Sequence, residues 1–151
     1  VLPHGAPLSF RLIQGNVRQA DKFRPETVAP QIDGYVQTIT AARADLVVTP
    51  ETAFPVFLNQ LPAGVLERLR RFADATGSQV FLGIGTLASN GAGHNSMLAI
   101  GPAPQRLQRH DKIRLMPFGE YTPRGFAWFG DRLVIPRCAA WRAGRPAGSA
   151  P

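Results

Sequence analysis

Residues 44–55 read ADLVVTPETAFP. Asp45 to Thr49 is a short apolar run with two adjacent valines, suited to a buried strand and too short for a helix. Pro50 ends it, because proline brings no backbone N–H to a sheet ladder. Upstream, Ile32, Tyr35, Val36, Ile39 and Ala42 recur at helical spacing, so Gln31 to Arg43 is predicted to be a helix with one inward face. Before it, Pro25 and Pro30 delay the element, and Ser9 to Val17 reads as a buried strand ending at the Gly15-Asn16 turn signal. Downstream, a second helix runs from about Pro62 to Thr76, with proline at its start, Gly77 at its end, and Leu66, Leu69, Phe72 and Ala73 on its apolar side. Val80 to Leu87 is a strand and residues 89–93 a turn. Asn95 to Ile100 and Arg106 to Ile113 are two further strands. Strand–helix–strand–helix followed by consecutive strands predicts an α/β fold, a mixed sheet with helices on one face.

Composition narrows the function classes. With 151 residues, 44% of them hydrophobic, the chain can bury one ordinary core. Charged residues, at 18%, are sparse for a free-standing soluble domain. The net charge of +7 is nearly all arginine. Apart from Arg68, Arg70 and Arg71 these are scattered singly, with no basic stripe, which argues against nucleic acid as a partner. The single cysteine, Cys138, excludes an internal disulfide framework, and His4, His94 and His110 lack metal-ligand spacing, so no metal is expected. No apolar run approaches the ~20 residues that a membrane span needs. Residues 1–8 read as a linker, residues 9–136 as one domain, and residues 137–151, poor in apolar periodicity, as a disordered tail.

Two charged residues draw attention. Glu51 follows a strand directly, between Pro50 and Pro55, where a stiffened loop presents a carboxylate for general-base work. An exposed turn glutamate is the plainer alternative. Lys112 is one of only two lysines in an arginine-using chain and sits at a strand end. A compact ammonium there suits a developing oxyanion, although surface lysines are common.

Taken together, residues 11–19, the VVTPETAFP stretch, Asn95 to Leu98, and DKIRLMPFGEYTP at residues 111–123 resemble the nitrilase-type carbon–nitrogen hydrolases. Within that superfamily they are most similar to the periplasmic domain of the bacterial apolipoprotein N-acyltransferase family. The resemblance covers residues 9–136. It implies the N-terminal part of an α-β-β-α sandwich with mixed sheets, and a Glu–Lys–Cys triad. Glu51 matches the general base, Lys112 the oxyanion-stabilising lysine, and Glu120 a further active-site glutamate, expected at the rim of the crevice. The family uses no cofactor. It takes an acyl chain from a phospholipid onto the cysteine and passes it to the N-terminal amine of a diacylglyceryl-cysteine apolipoprotein. It works at the periplasmic face of the bacterial inner membrane, anchored by transmembrane helices.

The match also departs from that pattern. The family nucleophile precedes Tyr-Glu, and no Cys-Tyr-Glu occurs in these 151 residues. Cys138 lies too soon after Lys112 and reads as a bystander thiol, so the chain is expected to be inactive alone. Phe23 stands where the family has Trp, and His110 where it has Tyr. A soluble nitrilase-type amidase and a non-catalytic remnant that binds acyl or peptide ligands are the alternatives. Transmembrane spans in the parent reading frame would exclude the first, and a downstream Cys-Tyr-Glu the second.

Overall fold

The run before Pro50 is a strand, β2 (Leu46–Val48). The computed structural model describes residues 5–104, 107–116, 120 and 141–144. Around β2 lie β1 (Phe10–Leu12), β3 (Phe54–Phe57), β4 (Gln79–Leu87), β5 (Gly93–Ile100) and β6 (Gln108–Asp111), with helices α1 (Pro25–Thr40) and α2 (Val65–Thr76). The sheet order is β1-β2-β4-β5-β6, and β3 pairs with β4 beyond the end of β2. The first four strands are parallel, while β5 and β6 join antiparallel. The expected mixed α/β sheet is therefore present.

Strand side chains alternate between faces, so the register divides the sheet into two surfaces. Val47, Val80, Leu82, Ile84, Leu98 and Ile100 point one way and are fully buried. They pack in one cluster with Ile32, Val36 and Ile39 of α1 and Leu69 and Ala73 of α2. Each such side chain contributes about 1.5–3 kcal/mol by leaving water. The other surface carries Phe10 and Leu12, 66% and 73% exposed, followed by half-buried Val48, Phe81 and Met97.

Several element boundaries differ from the sequence reading. Pro25 does not delay α1 but opens it, since the first helical residue needs no N–H partner. Pro30 sits inside the helix on its exposed side. The helix ends with no basic residue in its last turn. Arg11 of β1 supplies the cation from 27 residues or more away, donating to the carbonyls of Thr38 (2.9 Å), Ile39 (3.2 Å) and Ala42 (2.7 Å). Helix α2 starts at Val65, three residues after Pro62, and ends as expected at Gly77, whose left-handed φ of 69° places its N–H on the Ala73 carbonyl. Strands β1 and β6 are shorter than predicted, and β3 was not anticipated.

Residues 137–151 were expected to bury little. Of these, Trp141–Gly144 are described: none is buried, yet the backbone N–H groups of Trp141, Arg142 and Gly144 bond the carbonyls of Glu120, Gly93 and Lys112. Cys138 and the rest of the stretch lie outside the described residues, as do Pro117 to Gly119 of the PFGEYTP motif. Among the described residues no helix is long and apolar enough to cross a membrane.

Candidate active site

Glu51 owes its position to a break in the edge of β4. Thr49 donates its N–H to the Phe81 carbonyl (2.9 Å), and the chain then rises over the sheet and returns as β3, where Phe54 pairs with Ile84. The arch crosses directly above Gly83. A methyl group there would lie 2.3 Å from the Pro50 carbonyl oxygen and 2.8 Å from the Thr52 nitrogen, so glycine is required by close approach. The arch leaves the Gly83 N–H without a strand partner, and the Thr49 hydroxyl accepts it at 3.1 Å. Thr52, with φ at 51°, completes the turn.

Opposite the arch, Lys112 extends the β5–β6 ladder by one rung, donating its N–H to the Asn95 carbonyl (2.8 Å). Asp111, one residue earlier, faces the helix side. There it accepts from Ser96 Oγ (2.7 Å) and pairs with Arg109 Nε (3.1 Å), while Thr86 Oγ1 meets Ser96 Oγ at 2.7 Å. Alternation then turns Lys112 to the open face. Its Nζ meets Glu51 Oε1 at 2.7 Å and the Glu120 carboxylate at 3.0 Å. The buried amide of Asn95 donates through Nδ2 to Oε1 of both glutamates, 2.8 Å in the case of Glu120. Met116 N–H closes the set on Glu120 Oε2 (2.8 Å). Lys22 Nζ reaches the Glu51 carbonyl at 3.4 Å, beside the ring of Phe23.

The two carboxylates differ in setting. Glu51 is 56% exposed at its side chain and Glu120 only 13%, so Glu120 is the inner group and not the rim residue the sequence suggested. Burial raises the Glu120 carboxyl, but the Met116 N–H, Lys112 and Asn95 outweigh it and hold the group below the ordinary range. Burial likewise lowers Lys112, and hydrogen bonds and charge from Glu51 and Glu120 outweigh that, leaving its ammonium above its ordinary value. Lys112 Nζ thus faces three carboxylate oxygens, Glu51 Oε1 at 2.7 Å and those of Glu120 at 3.0 and 3.1 Å. A cleft of about 370 Å3 opens over these groups, lined by Glu51, Asn95, Met97, His110, Lys112 and Arg114.

The three residues singled out from sequence thus converge on one ammonium. Asn95 was noticed only as part of a motif. Its bridging role could have been suspected from a polar residue on the strand that neighbours the lysine. No group of three or more His, Cys, Asp or Glu among the described residues could hold a metal ion.

A carbon–nitrogen hydrolase family model matches residues 11–129. The chain is 40% identical to the apolipoprotein N-acyltransferase of Ralstonia nicotianae over 89% of its own length and 26% of that relative. It is 43% identical to that of Verminephrobacter eiseniae over 91% of its length and 26% of the relative. The chain therefore spans about a quarter of these relatives. A carbon–nitrogen hydrolase superfamily protein from Xanthomonas campestris superposes with a TM-score of 0.56 at 23% identity, covering 74% of this chain and 43% of that one. An N-terminal amidase gives 0.52 at 15%, covering 72% and 28%. The latter two likenesses establish the fold. The matched motifs and the shared sheet lead to one conclusion: the chain belongs to the carbon–nitrogen hydrolase family.

Proposed function

We propose that this chain supplies the proton-transfer and oxyanion-stabilising half of an apolipoprotein N-acyltransferase active site. The observation that carries the reading is the Lys112 ammonium held between Glu51 and Glu120 at the end of the sheet. It is supported by 33–43% identity to several apolipoprotein N-acyltransferases over most of the chain. In such a site a thiolate attacks the ester carbonyl of a phospholipid, and the Lys112 ammonium stabilises the tetrahedral oxyanion. Glu51, the exposed carboxylate, takes the thiol proton and returns it to the leaving alcohol. It then takes a proton from the acceptor amine of the lipoprotein as the thioester breaks and the thiol re-forms. Glu120, held ionised by its donors, balances the charge of Lys112. The donor would be a phospholipid and the acceptor a diacylglyceryl-cysteine apolipoprotein, met at the periplasmic face of the inner membrane. The domain would comprise residues 9–136.

The sequence contains no Cys-Tyr-Glu, so the 151-residue chain alone should show no phospholipid-dependent acyl transfer. Turnover that disappears on Cys138→Ala would place the nucleophile there instead. Transplanting residues 9–136 into the Ralstonia relative tests the assigned roles. The chimera should transfer acyl chains. Glu51→Gln should lower turnover ~10²–10⁴-fold, and Lys112→Ala ~10²–10³-fold. Full turnover in both variants would remove these residues from the mechanism.

A further inference from the structure

The segment Trp141–Gly144 touches every arm that holds the site. Trp141 N–H donates to the Glu120 carbonyl (3.2 Å), Arg142 N–H to Gly93 (2.7 Å) and Gly144 N–H to Lys112 (2.9 Å). Two of these acceptors belong to residues whose side chains meet in the ion pair, and Gly93 lies one pleat before Asn95 on the same face of β5. The Arg142 carbonyl is engaged in turn by His94 Nδ1 at 2.9 Å. The Trp141 ring packs on Phe57 at 5.6 Å between centroids, and Phe57 ends the strand that follows the Glu51 arch.

The sheet makes room for this segment. A methyl at Gly85 would meet Phe57 at 2.9 Å and Trp141 at 3.0 Å, and one at Gly93 would touch both rings. Gly144 itself approaches so closely that a methyl group would lie 2.5 Å from the Asp111 carbonyl oxygen. Backbone atoms cannot yield as a flexible side chain does, so that distance fixes where the segment passes. Lys112 lies beyond the last residue of β6, where the ladder would otherwise leave it to fray. Asn95 holds its N–H and Gly144 its carbonyl. A lysine side chain is long and rich in rotamers, so anchoring its backbone on both sides confines where the ammonium can go.

From this geometry we infer that Trp141–Gly144 is a positioning clamp that sets Lys112 and Glu120 against Glu51. The inference rests on the functional reading above, since it assigns the clamp to those working groups. The test is a nuclear magnetic resonance titration of the Lys112 ammonium and the Glu120 carboxyl in the full chain, with amide exchange at Leu82, Ile84 and Leu98 reporting on the core. Glu51, His110 and Arg114 face the same cleft and are followed in parallel. Gly144→Ala and Trp141→Ala should bring Glu120 up toward its ordinary 4.5 and Lys112 down toward its ordinary 10.5, with core exchange unchanged. Trp141→Phe should restore the native titration, and Arg142→Ala, which removes an exposed side chain but no backbone donor, should not disturb it.

Titrations that ignore both substitutions would overturn the clamp. So would titrations that move only together with loss of core protection, because the segment would then be a general structural support. A failed functional reading looks different: the chimera stays active without Glu51 or Lys112 while the titrations still respond to Trp141 and Gly144.

Discussion

The two faces of the sheet are built on opposite terms. The helix-covered face buries Val47, Val80, Leu82, Ile84, Leu98 and Ile100 out of reach of water, with the polar set Thr86, Ser96 and Asp111 beside them. The other face gives up side-chain volume where the site lies. Gly83 carries the Glu51 arch, Gly85 and Gly93 accommodate aromatic rings, and Asn95 places a polar amide among them. Stability and chemistry are thus separated across the thickness of one sheet. A substitution should disturb one and spare the other according to which way it points.

The largest expected effect lies on the filled face. Leu98→Ala should cost about 2–5 kcal/mol in chemical denaturation through lost burial and a cavity, while Glu120 keeps its depressed titration in the folded protein. If the Glu120 titration collapses along with stability, the two faces are not independent. Gly83→Ala should cost less, about 1–3 kcal/mol, by overpacking against the arch. It should nevertheless separate Glu51 from Lys112, seen as loss of the cross-peak between their side chains. A variant crystal structure with the 2.7 Å contact intact would contradict this.

Smaller again is the dependence on pH. Glu120 is lowered from 4.5, so its contribution is complete above that value and fades as pH falls through the depressed native pKa. Asp45, lowered chiefly by the Ser9 hydroxyl and then its backbone N–H, acts in the same direction. Lys112 is raised from 10.5, so its contribution is complete below that value and fades as pH climbs through the raised one. Melting temperature should therefore hold across neutral pH and fall on both sides. Glu120→Gln should flatten the acid limb, and an unchanged limb would mean that other carboxylates govern it. Least of all, Leu12→Ser on the open face should alter stability by no more than ~0.5 kcal/mol, against several for Leu98. A loss near that of Leu98 would show that something covers Leu12 in solution.

How far the sequence disclosed this depends on how local each feature is. Helix α2 and strands β4 and β5 carry their own periodicity and boundary residues, and all three were legible. The start of α1 lies earlier than the apolar periodicity suggests, because Pro25 suits a first helical position and opens the helix. Strand β3 was missed because Pro55 interrupts it and its pairing with β4 is shifted between Phe54 and Phe57. Glu51, Lys112 and Glu120 were recoverable from family motifs, whereas the inner placement of Glu120 depends on Asn95 and Met116 closing around it. Trp141–Gly144 was the least legible, because it acts through backbone N–H groups that every residue but proline possesses.

The Arg11 guanidinium has a consequence for the order of folding. Helix α1 has no cation of its own in its final turn, and the carbonyls of Thr38, Ile39 and Ala42 depend on a strand that precedes the helix. Its beginning can form from local sequence, but its end is stabilised only after β1 has docked beside β2. A peptide spanning residues 24–43 should therefore fray from its C-terminal end, and the last turn should become protected in step with the parallel pairing of Phe10–Leu12. Helix termination here is a tertiary event, delayed until a long-range contact forms.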